Sequence, residues 1–216
     1  MKKTLILTLV MAAAMVLSAA AMDRLYIEDF TIAAGKTRTV SMKLDNETAY
    51  TAFQCDLYLP EGLSIVDGSF ALTERKSSSH SFTVSPFPNS VYRLMSYSMN
   101  LKTYSGNNGA LVTFDITASE DFSDSVVIAL KNILFTTEAG VEVPFGIEEC
   151  IVTKGLKGDV NVDSAINIKD VTALIGYLMT SDSTGIDLYN ADVNEDEITS
   201  IKDVTTIINM LMGDNT

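Results

Sequence analysis

The chain has 216 residues, with 28 Asp and Glu against 15 Lys and Arg and a formal charge of −13 at neutral pH. Such acidity repels phosphates and anionic lipid heads, which excludes nucleic acid and charged membrane surfaces as natural partners. The sole histidine, His80, lies in a serine-rich stretch, and no Gly-x-Ser-x-Gly or zinc-ligand spacing occurs, so the sequence reads as non-enzymatic.

At the start, Lys2 and Lys3 precede an apolar run from Leu5 to Leu17 and then Ser18, Ala19, Ala20 and Ala21. This is the pattern of a cleaved secretory signal over residues 1–21, and the run, which contains Thr8, is shorter than the roughly 20 apolar residues of a membrane span. The expected location is outside the cytoplasm, whether secreted, periplasmic or at the cell surface, with no transmembrane segment left after cleavage. The two cysteines, Cys55 and Cys150, fit either a disulfide, which export permits, or two buried thiols.

From residue 22 to 154 the pattern is that of short strands. Val40, Met42 and Leu44 alternate with polar neighbours, as do Phe53, Cys55, Leu57 and Leu59. Period two buries one face and wets the other. Further strands are expected at Ser81 to Ser85, Val91 to Met95, Ala110 to Ile116, Val126 to Lys131, Ile133 to Thr137 and Glu148 to Thr153, with Thr73 to His80 as an exposed loop. Turn signals about every ten residues predict a β-sandwich or jelly roll.

The pattern changes at a short linker, residues 155–158, after which acid density rises and apolar spacing turns helical. Residues 159–216 contain an internal repeat with an offset of 33 positions: Asp159-Val160-Asn161-Val162-Asp163 returns as Asp192-Val193-Asn194-Glu195-Asp196, and Ile168-Lys169-Asp170-Val171-Thr172 as Ile201-Lys202-Asp203-Val204-Thr205. The copies span 159–179 and 192–212. Oxygen-bearing side chains at alternate positions, a backbone carbonyl at position 7 and a carboxylate at position 12 are how a twelve-residue loop wraps a hard cation. The predicted ligands are Asp159, Asn161, Asp163, Ala165 (carbonyl), Asn167 and Asp170 in the first loop, and Asp192, Asn194, Asp196, Ile198 (carbonyl), Ser200 and Asp203 in the second. Two calcium ions are expected, and magnesium is disfavoured by the size of the cage. Acidic helix caps without a metal would explain Asp170 but not the inward triplet. Position 6, where glycine is expected, is Ser164 in one loop and Glu197 in the other, so a left-handed backbone there carries a cost. Ile168, Val171, Leu174, Ile175 and Leu178 form a helical stripe with a twin in the second copy, and the two stripes are expected to bury each other.

Paired Asp-x-Asn-x-Asp loops ending in Asp, each followed by one helix, resemble the type I dockerin family over about 55 residues. The resemblance implies calcium-ordered folding and recognition of a cohesin-like domain through loop positions 10 and 11, here Ile168, Lys169, Ile201 and Lys202. The near twofold repeat implies that either helix can face the partner. More weakly, the N-terminal part is similar to the cohesin family, a nine-stranded jelly roll, in the order of Val40 to Leu44, Phe53 to Pro60, Gly109 to Ile116 and Leu130 to Ile133. The fold expected is therefore mainly β, a cohesin-like β-sandwich or jelly roll followed by a small all-α calcium-binding module of paired loop-helix repeats. The function expected is non-catalytic assembly, in polysaccharide breakdown. An alternative makes the jelly roll a carbohydrate-binding module using Tyr58, Tyr92, Tyr97 and Tyr104, and plug-like and socket-like parts in one molecule also allow self-association.

Overall fold

The computed structural model describes residues 23–122 and 125–213, so the expected signal over 1–21 lies outside the described residues. Chain order runs β1 (Arg24–Ile27), β2 (Phe30–Ile32), β3 (Thr37–Asp45), β4 (Tyr50–Tyr58), β5 (Leu63–Ile65), β6 (Ala71–Leu72), β7 (His80–Phe87), β8 (Val91–Ser98), β9 (Ala110–Ala118), β10 (Val126–Thr137), β11 (Glu142–Pro144) and β12 (Glu148–Lys154). Three helices follow among the described residues: α1 (Ile168–Thr180), α2 (Leu188–Ala191) and α3 (Ile201–Met212).

The strands form two facing sheets. One has the order β1-β3-β9-β5 with β6 also on β9, and the other β2-β12-β10-β4-β8-β7 with β11 on β10. Pairing is antiparallel except for β2 beside β12. The alternation read in β3 and β4 decides which side chains meet between the sheets: Val40, Met42 and Leu44 from one and Phe53, Cys55 and Leu57 from the other are all buried. Each such side chain contributes on the order of 1.5–3 kcal/mol on leaving water. The mainly β architecture with a small helical end is as the sequence predicts.

Two expectations change, and the choice left open for the cysteines is resolved. The strands anticipated on either side of Asn132 are one strand, β10, with a bulge between Lys131 and Leu134, where Asn132 takes φ 50°. Asparagine tolerates that left-handed backbone better than most residues. The segment Thr73 to His80 is not simply an exposed loop, because Arg75 turns inward and is buried. Its guanidinium donates to the carbonyls of Leu44 (2.6 Å), Ser105 (2.7 Å), Gly109 (3.1 Å) and Gly106 (3.2 Å) and to Asn46 Oδ1 (2.7 Å), which ties together the loops at one end of the sandwich. The disulfide between Cys55 and Cys150 is not formed: both are free and buried, on β4 and β12 with β10 between these strands. Cys55 Sγ lies 3.9 Å from Met42 Sδ, whereas Cys150 donates to Glu28 O at 3.1 Å. Burial pushes both thiols up, Cys150 to about 12.

On the outer side of β4, Asp56 receives Arg93 Nε and Nη2 at 2.7 Å each and Asn132 Nδ2 at 2.8 Å. The Arg93 guanidinium holds the Asp56 carboxyl below its ordinary value of 3.8, against the opposing effect of burial. A depressed carboxylate stabilises the fold fully above the unfolded value and loses that contribution as pH falls through the folded one. Arg93→Gln should therefore cost about 1–2 kcal/mol in urea denaturation at neutral pH, with the difference from the native chain vanishing below the folded value. Arg75→Met, which leaves the buried Leu44 carbonyl and Asn46 amide oxygen without their donor, should cost about 3 kcal/mol in the same measurement at any pH where the protein folds.

Candidate metal centre

The first acidic loop winds around its own side-chain oxygens. Asp159 accepts the N–H of Asp163 at 3.0 Å and of Ser164 at 2.9 Å, and Asp163 accepts that of Ala165 at 3.1 Å. Asp170, one turn into α1, accepts from Val160 at 2.9 Å, Asn161 at 3.2 Å and Asn167 at 2.8 Å. Asn167 in turn caps the helix by accepting the Lys169 N–H at 2.9 Å. The second loop repeats this wiring: Asp192 takes Asp196 and Glu197 at 3.2 and 3.1 Å, and Asp203 takes Val193, Asn194 and Ser200 at 2.9, 3.3 and 2.8 Å. The 33-residue repeat seen in the letters is thus a repeat of hydrogen bonds.

Coiling this tight requires left-handed backbone at position 6, and Ser164 and Glu197 adopt φ 69° and 65°. Position 4 is left-handed too, at Val162 (φ 57°) and Glu195 (φ 58°), which nothing in the sequence announced. For a β-branched residue such as Val162 this is a strained conformation.

Asp159, Asp163 and Asp170 each present a carboxylate oxygen, all within 4.8 Å of one another, and Asp159 and Asp170 are almost wholly buried. Burial pushes the Asp159 carboxyl up; the Ser164 and Asp163 N–H groups oppose this, while the neighbouring Asp170 and Asp163 charges raise it further. Three crowded carboxylates with amide and carbonyl oxygen nearby suit a hard divalent ion. In the second loop Lys202 Nζ reaches Asp196 Oδ2 at 3.1 Å, where the equivalent Lys169 stays 3.8 Å from Asp163. That contact lowers the Asp196 carboxyl.

The helices pack through Val171 and Leu174 on α1 and Val204 and Ile207 on α3, around Val160 and Ala191. The expected mutual burial of whole stripes is corrected here: Ile175, Ile208 and Leu211 remain partly exposed, because a two-helix core covers only a narrow arc of each helix. Ile168 and Ile201 are about two-thirds exposed, at 67% and 66%, and Lys169 and Lys202 are exposed beside them, as helix-entrance residues were expected to be. Of the four tyrosines that could stack on sugar, Tyr104 is buried against Ser96 and His80, Tyr92 packs on Phe70, Tyr58 lies under Lys131, and Tyr97 alone is exposed. They do not form one exposed platform.

Sequence reasoning missed α2. Its signal was short but present: Asp187 caps it by accepting the N–H groups of Tyr189 and Asn190 at 2.9 and 3.3 Å.

The architecture defines a two-part chain, a jelly-roll sandwich followed by paired loop-helix repeats. Residues 157–212 match the family described as the dockerin type I domain. The sandwich has the cohesin fold. A non-cellulosomal cohesin from the archaeon Archaeoglobus fulgidus superposes with a TM-score of 0.53 at 14% identity, over 62% of this chain and 92% of that one. The sixth cohesin of scaffoldin B from Acetivibrio cellulolyticus, solved with a Cel5 dockerin, gives 0.53 at 12% identity over 62% and 99%. A type I cohesin–dockerin complex, Coh-OlpA–Doc918 of Clostridium thermocellum, gives the same score and identity over 62% and 99%. No curated protein matches the chain.

Replacing the left-handed non-glycine residues should relax the loops. Ser164→Gly and Glu197→Gly are each expected to stabilise the repeats by about 0.5–1 kcal/mol, the strain relieved less the entropy glycine loses, as a higher midpoint in the helical circular dichroism signal on heating.

Proposed function

We propose that this is a non-catalytic assembly protein, exported from the cytoplasm, whose C-terminal repeats take up two calcium ions and dock onto a cohesin-fold partner in machinery that degrades polysaccharide. The observation that carries the reading is the crowding of Asp159, Asp163 and Asp170 within 4.8 Å on a loop that is then duplicated. In the first loop the ion would be held by Asp159, Asn161, Asp163, the Ala165 carbonyl, Asn167 and Asp170. In the second it would be held by Asp192, Asn194, Asp196, the Ile198 carbonyl, Ser200 and Asp203. The ion supplies the charge that offsets their mutual repulsion.

Docking draws on Ile168 with Lys169 and on Ile201 with Lys202, exposed side chains at equivalent helix entrances. Because the two entrances are equivalent, each is a complete recognition face. Solved complexes of cohesins with dockerins support a partner of that fold. Support for a role in polysaccharide breakdown comes from the cellulosomal setting of another similar structure, a type II cohesin of Acetivibrio cellulolyticus. The expected signal over 1–21 supports export.

Calorimetric titration of the full chain should show two calcium ions bound and Asp163→Ala should remove one of them; absence of heat, with a circular dichroism spectrum indifferent to EDTA, would sink the reading. Capture on immobilised cohesin domains should require calcium, should persist in Ile168→Asp or Ile201→Asp alone, and should fall at least about a hundredfold when both are changed. Retention by the double variant would remove these residues from the interface.

A further inference from the structure

The four residues of α2 have one side on the sandwich and the other in the repeats. Toward the sandwich, the Asp187 carboxylate that caps α2 also accepts Thr31 Oγ1 at 2.5 Å and faces Arg38 Nη1 at 3.4 Å. Tyr189 packs against the sandwich core, with the Arg38 guanidinium 4.9 Å and the Lys157 ammonium 3.8 Å from its ring centre. Toward the repeats, Asn190 Nδ2 donates to the carbonyl of Asp159, the first residue of loop one, at 3.1 Å. Lys157 Nζ donates to the carbonyl of Asp192, the first residue of loop two, at 2.9 Å. Both acidic loops are thereby attached at position 1 to the element that seats on β2 and β3.

We propose that α2 is an ion-coupled latch: filling the acidic loops and seating Tyr189 on the β2–β3 side of the sandwich are one linked equilibrium, so that cation uptake fixes the angle at which α1 and α3 are presented. This rests on the reading of the repeats as calcium loops. The Asn190 and Lys157 bonds need the first turn of each loop in place, and crowded carboxylates hold that turn only when their charge is offset. The ion pair that the sandwich makes directly with loop two, Lys36 with Glu195 at 2.8 Å, is half exposed on both sides and adds little by comparison with Arg38 and Asp187. Linkage is reciprocal, so seating must raise ion affinity by the factor that the ion raises seating.

The test uses the full chain, with calcium as the probe. Tyr189→Ala, and independently Arg38→Gln on the sandwich side, should weaken calcium binding in calorimetry by about tenfold, within the usual range for coupled sites. Calcium should slow hydrogen exchange of the β2 amides by a similar factor in the native chain and not in Tyr189→Ala. An unchanged β-sheet spectrum shows that the variants fold, and Arg38→Gln carries the measurement should Tyr189→Ala fail. Native uptake of calcium with equal affinity in both variants, and β2 exchange indifferent to the ion, would overturn the latch and leave the proposed function standing. A native chain that takes up no calcium overturns both.

Discussion

Each acidic loop closes on a single buried carboxylate. Asp170 gathers N–H groups from the start of its loop and from the residue that caps α1, and Asp203 does the same before α3. A carboxylate in that position joins the two ends of a twelve-residue coil and sets the direction of the helix behind it. In the first loop the carboxylate oxygens of positions one, five and twelve share one space, and so the possibility of gripping a hard cation goes with a helix-capping contact. The left-handed turns at Ser164 and Glu197 belong to the same coil, and there the position-1 carboxylates of Asp159 and Asp192 accept the N–H groups.

The sandwich follows a different logic. Its interior is decided by period-two alternation, and its few buried polar groups are there to close gaps that alternation leaves. Arg75 closes one end of the sandwich with a planar group that answers several carbonyls at once, and the Asp56–Arg93 pair fastens β4 to β8 from outside. Apolar area and hydrogen-bond satisfaction therefore act on different parts of the same sandwich.

How much of this could be read from the letters depends on how local the cause is. The acidic loops were legible because every candidate ligand sits within twelve residues and the copies check one another. β3 and β4 were legible because alternation acts residue by residue. Arg75 was not, since an arginine in a run of serines and charges looks solvated until residues some thirty positions away bring their carbonyls to it. The thiols of Cys55 and Cys150 could not be judged, because the intervening strand β10 is contributed from elsewhere in the chain. α2 was hidden by brevity: four residues carry no helical period, and the reason it holds shape, contact on two sides, lies outside it.

At the joint between the two parts, Gly155 donates to Ile32 O at 2.8 Å, and a side chain there would press on Asn190 and the Ile32 backbone. The chain thus leaves β12 with no slack. A displacement of α1 or α3 therefore bears on the Gly155–Ile32 contact and on β12, which pairs with parallel β2 and antiparallel β10. The repeats hang from an edge of the larger sheet, and whatever moves them meets its outermost strand pair first.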